Sequence, residues 1–271
     1  MFYLILAVAV IFLLPSVLIL FAAFINRESS RKRPFAAVAL DLLQAAVSAG
    51  TSLLIAVVTR PFAFLNNIPL LHKTEDNRPI LMVHGLYHNR TAWLVMKHRL
   101  NFMGFGNMHT WQYNSFTTSY PELVLELRKE IVRLYEATGS EEKITLVGHS
   151  LGGLLISEAS ADPQIKKMVR GLVTMGTPFG GSVLGSIAIG RLGRSLYPDS
   201  SLFKGREKIT FPDIGKTALH SSTDEMVLPW GNLIPGEGNW KVINCGPMGH
   251  VGMLYSRKTT LTAAEVIRGM R

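Results

Sequence analysis

The chain has 271 residues, 48% of them hydrophobic and 17% charged, with a formal net charge of +9. That length accommodates one large α/β domain plus an appendage, and high apolar content with low charge points toward membrane contact. The basic excess suits an anionic lipid surface; no basic run interleaved with aromatics forms a nucleic-acid module, and the lone Cys245 excludes an internal disulfide.

Residues 1–61 read as membrane-anchoring helices. Met1 to Asn26 carries no charged side chain, and the run is long enough to span a hydrocarbon core of about 30 Å. Pro15 falls mid-run, where a membrane helix tolerates a kink. No Lys or Arg precedes the run, which favours an uncleaved anchor over a signal peptide. A short basic loop, Arg27 to Pro34, follows. Phe35 to Val58 is apolar again, but Asp41, Gln44, Ser48 and Ser52 fall on one helical face. Ala45 with Ala49, and Ala46 with Gly50, place small residues four apart, which lets helices approach closely. Two arrangements fit this pattern. In one, the segment is a second spanning helix whose polar stripe faces the first helix or the domain. In the other, it lies in the interface plane.

The basic loop is expected on the cytoplasmic side. A hairpin then sets the C-terminal domain on the periplasmic or outer side of the inner membrane. Residues 62–78 read as a linker after Arg60-Pro61. On this reading the amino-terminal segments localise the domain and contribute nothing to its site.

The domain proper, residues 79–271, alternates strand and helix patterns, which implies a mostly parallel central sheet flanked by helices. Pro79 to Val83 reads as a buried strand and runs into His84-Gly85-Leu86. Thr91 to Phe102 reads as a helix with Thr91 as its cap, Met108 to Tyr113 as a strand. Tyr120 to Ala137 is a strongly periodic helix stopped by Gly139. Next, Ile144 to Val147 leads into Gly148-His149-Ser150-Leu151-Gly152 and then Gly153. A strand ending in a sharp turn that opens a helix is the context a G-x-S-x-G nucleophile requires. The Leu151 N–H then sits at a helix N-terminus, where it stabilises negative charge. A His-Gly step after an early central strand is where a second oxyanion donor belongs, here the Leu86 N–H. His84 and Gly85, with His149, are candidate pocket residues. The turn points His149 away from Ser150, so it is not a candidate base.

Beyond the helix from Leu151, Val169 to Met175 reads as a strand ending at Gly176-Thr177-Pro178. Residues 182–208 fit a sheet poorly. They are Gly-rich and amphipathic, with Arg191, Arg194, Lys204, Arg206 and Lys208 against Asp199 and Glu207. A small lid inserted at that point would cover a pocket. Thr217 to His220 reads as a strand, and Asp224 lies in the loop past it, where an orienting carboxylate can reach an imidazole. Glu225 is expected to diverge, and Asp213 precedes the strand. Trp240 to Cys245 is the last strand pattern. His250 follows in a loop between Gly249 and Gly252, ahead of a helix over Thr260 to Met270. The order Ser150, Asp224, His250 is then complete.

These residues resemble the α/β-hydrolase superfamily and, within it, bacterial triacylglycerol-lipase-like esterases. The resemblance rests on His84-Gly85-Leu86, Gly148 to Gly153, Gly176-Thr177-Pro178, Asp224 with Val227 to Pro229, and Gly249-His250, and covers residues 79–271. It implies acyl-ester hydrolysis with Ser150 as nucleophile, His250 as base, Asp224 orienting His250, and the Leu86 and Leu151 N–H groups binding the oxyanion. Tyr87-His88-Asn89 departs from the Gly-rich loop common in such lipases. Some of those lipases bind calcium; no acidic cluster supports a metal here, and neither a cofactor nor an obligate protein partner is implied. The expected partners are a lipid or acyl-ester substrate and a membrane. A phospholipase, thioesterase or acyltransferase would use the same three residues. A catalytically silent membrane scaffold is the rival from another class.

Overall fold

The short apolar runs of the domain pair side by side in the computed structural model, which describes residues 2–30, 33–64, 76–204, 214–236 and 238–270. The strands are β1 (Ile80–Val83), β2 (Met108–Trp111), β3 (Ile144–His149), β4 (Val169–Met175), β5 (Gly215–His220) and β6 (Trp240–Asn244). They form one parallel sheet in the order β2-β1-β3-β4-β5-β6. Every residue of β1 and β3 is buried, as expected for strands covered on both faces.

Alternation along the strands supplies two cores. Leu81 and Val83 face the side covered by α5 (Tyr120–Ala137), α6 (Leu151–Ala159) and α7 (Pro163–Met168). Ile80 and Met82 face the side covered by α4 (Leu94–Phe102), α9 (Gly252–Tyr255) and α10 (Arg257–Gly269). α5 buries Leu123, Leu127, Ile131 and Leu134 as its spacing predicts. Glu122 closes its first turn by accepting the Ser119 N–H at 2.8 Å. α4 starts later than the sequence predicts. Asn89, not Thr91, caps a preceding 3-10 turn by accepting the Thr91 N–H.

The amino-terminal segments form a helical hairpin: α1 (Phe2–Ile25), the short α2 (Arg27–Ser30) and α3 (Phe35–Thr59). By length and composition alone, Phe35–Ala63 is long and apolar enough to cross a membrane. The small residues act as their spacing predicts. Ile19 buries against Ala45 and Ala49, and a Cβ at Gly50 would sit 2.3 Å from the Phe12 ring. Only a glycine admits that ring.

The polar stripe on α3 divides between two tasks. Asp41 pairs with Arg33 at 2.6 Å. Ser48 and Ala49 pack on Gly252 and Gly249, where added Cβ atoms would come within 2.2 and 2.5 Å of them. The hairpin is tied down at both ends. Asn26 Oδ1 accepts the Trp230 N–H at 2.9 Å. Arg60 donates to the Tyr87 carbonyl at 2.9 Å, and the Asn89 amide donates back to the Arg60 carbonyl. The expected linker, residues 62–78, begins with a 3-10 turn over Arg60–Phe64. Its stretch 65–75 lies outside the described residues, as do Asp213 and residues 205–208 of the expected lid.

Candidate functional site

β3 ends at His149 and α6 begins at Leu151, so the chain must reverse within one residue. Ser150 takes that turn with φ +54° and ψ −124°. A non-glycine residue there is strained, at a cost of order 1–3 kcal/mol, and the surroundings hold it. The Ser150 N–H donates to the Met175 carbonyl at 2.8 Å. A Cβ at Gly152 would lie 2.2 Å from the Val83 carbonyl oxygen, so α6 seats on β1 only with glycine at that position. The Leu151 N–H opens α6, and the Leu86 N–H lies in the loop beyond β1. Neither makes a hydrogen bond among the described residues. Two backbone donors are thus available beside the serine. Gly85 brings the loop in close: a Cβ there would sit 2.8 Å from Ser150 Cβ.

The acid and the imidazole arrive on loops after β5 and β6. Ser221 holds these loops together: its hydroxyl lies 2.6 Å from the Met248 carbonyl and accepts the Met248 N–H at 3.1 Å. Asp224 is fully buried. Its Oδ1 accepts the Met226 and Val227 N–H groups, both at 2.9 Å, and its Oδ2 accepts from His250 Nδ1 at 2.7 Å. That bond puts the proton on Nδ1 and leaves Nε2 as the lone-pair nitrogen. Burial opposes charge on the His250 ring, but Asp224 and then Glu225 outweigh it and hold its pKa above the ordinary value. Ser150 Oγ and His250 make no hydrogen bond with each other; both line one cavity. Such contacts are often long without substrate and tighten when it binds.

Three further groups surround this pair. Glu225 does diverge from Nδ1, but its Oε2 accepts the His250 backbone N–H at 2.8 Å, and burial followed by the Asp224 charge raises its pKa to about 7. The His149 ring lies 4.7 Å from the His250 ring, tilted by 52°, and donates from Nε2 to the His250 carbonyl at 3.1 Å. Burial and the neighbouring imidazoles keep it neutral, well below the usual histidine range. His84 sits behind the loop, not in the cavity. Its ring stacks on Tyr113 at 4.2 Å, Nδ1 donates to the Gly85 carbonyl at 2.8 Å, and burial drops its pKa to about 4. It orders the loop that carries Leu86.

The cavity has a volume of about 610 Å³, within the ~300–1,000 Å³ usual for small-molecule sites. Gly85, Leu86, His149, Ser150 and His250 line it, as do His88 and Glu225; His84, Leu151 and Asp224 stand behind its wall. Residues of the expected lid contribute Leu184, Ile187 and Ile189. They come from a 3-10 turn over Val183–Ile187 and the stretch before α8 (Gly190–Arg194). Tyr87 donates its hydroxyl to the Ile189 carbonyl, joining this segment to the Leu86 loop. The hairpin corrects the sequence expectation. Leu14, Pro15 and Leu18 of α1, and Ala49, Leu53, Ala56 and Val57 of α3, form one side of the cavity. The amino-terminal segments therefore build part of the site. The stripe at Ser48 and Ser52 was visible in sequence, but its partner 200 residues away was not.

The family described as a PGAP1-like alpha/beta domain matches residues 96–189, a stretch that contains Ser150. No curated protein matches the sequence. Among solved structures, the mature lipase BlEst2 of Bacillus licheniformis superposes with a TM-score of 0.60 at 18% identity, over 74% of this chain and 94% of that one. Lipase B of Aspergillus fumigatus gives 0.59 at 17% identity, over 69% of this chain and 52% of that one. MGS-MChE2, an α/β hydrolase from a Mar Chica lagoon metagenome, gives 0.52 at 15%, over 72% and 92%. With its six parallel strands in the order β2-β1-β3-β4-β5-β6 and a serine at the β3–α6 turn, the chain has the α/β-hydrolase fold.

Proposed function

We propose that the protein is a membrane-anchored serine hydrolase that cleaves carboxylic esters of lipids. The observation that carries this is the convergence of a strained Ser150, the Asp224–His250 pair and two unpaired backbone N–H groups at one end of the sheet. Ser150 Oγ attacks the ester carbonyl carbon while His250 Nε2 takes its proton. The tetrahedral oxyanion is held by the Leu86 and Leu151 N–H groups. The C–O bond to the alcohol then breaks, and His250 returns the proton to the leaving oxygen. Water enters on the acyl-enzyme, gives its proton to His250, and releases the acid and Ser150. The segment after Ser182 is read as a lid over this site. Anchoring through α1 and α3 at the inner membrane keeps the cavity against lipid.

Purified full-length protein in detergent should hydrolyse p-nitrophenyl esters and acyl lipids, measured as equimolar alcohol and acid. Absence of release from every ester, with the protein folded, would remove the proposal.

Glu225 acts on His250 by charge and is a positioning residue. Glu225→Gln keeps an acceptor for the His250 N–H and removes the carboxylate. A general base works in its neutral form. Losing a neighbour that raises the His250 pKa therefore extends that form to lower pH. The acid limb of the kcat/KM profile should move to lower pH, with turnover on the plateau little changed. An unmoved limb would show that Glu225 serves only to hold the loop.

A further inference from the structure

We infer that the hairpin is a wall of the acyl-chain site and that the cavity takes its substrate, a long-chain acyl ester, directly from the hydrocarbon layer of a membrane. This rests on the ester-hydrolase reading above. The polar groups of the cavity, Ser150, His149 and His250 among them, gather at its sheet end. The two helices contribute carbon: Leu14 and Leu18 from α1, Leu53, Ala56 and Val57 from α3. The helices themselves give a head group nothing to bond, and Arg60 just past α3 already donates to the Tyr87 carbonyl, whereas an alkyl chain gains from every methylene it withdraws from water.

The mouth gives the direction of entry. Leu14 and Val57 line the cavity and are still 54% and 53% exposed; Ile187 and Ile189, also lining, are 78% and 71% exposed. Arg60 is exposed and lining as well, with its guanidinium donating to the Tyr87 carbonyl; an opening with four exposed aliphatic side chains beside it suits a lipid better than a water-borne substrate. The outward faces of the same helices are apolar as well, with Leu13, Val17 and Leu20 on α1 and Leu40, Leu43 and Val47 on α3 all exposed. A chain leaving the cavity past Leu14 and Val57 therefore passes into the lipid that these faces suit. Tethers at Asn26 and Arg60 keep that wall on the domain, so the route is fixed at the site.

The test uses the full chain in proteoliposomes. Leu18→Trp and Leu53→Trp fill the cavity from the helix side. Leu20→Trp and Leu43→Trp alter the outward face of the same helices. The readout is the ratio of kcat/KM for p-nitrophenyl palmitate to that for the butyrate. The inner variants should lower this ratio by about tenfold or more, as a narrowed apolar pocket rejects length, and the outer variants should leave it unchanged. Equal ratios in all four would overturn the inference while ester hydrolysis itself stood. Loss of every ester activity in the wild-type protein would remove the hydrolase reading and this inference together. A second measurement needs no variant: a hexadecyl fluorophosphonate bearing a diazirine at its tail is attached to the wild-type protein and irradiated. Crosslinks should map to residues 14–18 and 53–57. Crosslinks confined to the sheet domain would overturn the inference.

Discussion

Ser150→Ala is expected to lower turnover of a soluble p-nitrophenyl ester by about 10³-fold or more while the protein stays folded. Removing Oγ removes the only protein atom in the proposal that bonds to the acyl carbon. The backbone features of the turn survive: the N–H to Met175 and the approach of Gly152 to Val83 involve no serine side-chain atom. Alanine pays a similar cost for φ +54°, so stability should change little. The residual rate would come from the two N–H donors and from binding. Such a loss corresponds to about 4 kcal/mol of barrier. Initial rates on wild-type and variant with matching far-ultraviolet circular dichroism would measure it. Near wild-type hydrolysis by the variant would move the nucleophile elsewhere.

His250→Ala should cost about as much as Ser150→Ala, and the double variant little more, because nucleophile and base act as one unit. The loop itself is held without the ring. Glu225 bonds the residue 250 backbone N–H, and Ser221 bonds the Met248 backbone. The missing imidazole would leave Asp224 Oδ2 without its partner in a buried site, so some loss of thermal stability should accompany the loss of rate. Three rate assays in one ester suffice. Additive losses in the double variant would show that Ser150 and His250 work independently. Intact turnover in His250→Ala would transfer the base to another ring, His220 at the end of β5 being the next in chain order.

Much of the site was legible because its signals are local. The G-x-S-x-G turn needs glycines at fixed offsets: a Cβ at Gly148 would meet the Gly152 backbone across the elbow, and one at Gly152 the Val83 and His84 carbonyls. α5 was legible because eighteen residues give the 3.6 period room to repeat and Gly139 marks its end. α7 and α9 were missed, since six and four residues carry no period. Asp224 and His250 could be found by chain order, whereas Glu225 could not. Its neighbour takes the imidazole, and nothing in Asp-Glu says that the second carboxyl returns to the His250 backbone. The hairpin was legible as apolar helices with small residues at spacing four. Its docking on Gly249 and Gly252 joins parts of the chain about 200 residues apart, and pattern within either segment carries no trace of that meeting.

The most direct test of the central claim is covalent labelling of the full-length protein in membranes by a fluorophosphonate, which reacts with a serine only where a neighbouring base and oxyanion donors activate it. The adduct should map by tandem mass spectrometry to Ser150, appear in the wild-type protein and Glu225→Gln, and vanish in Ser150→Ala and His250→Ala. Labelling at another serine, or a folded wild-type protein that takes no label, would contradict the account.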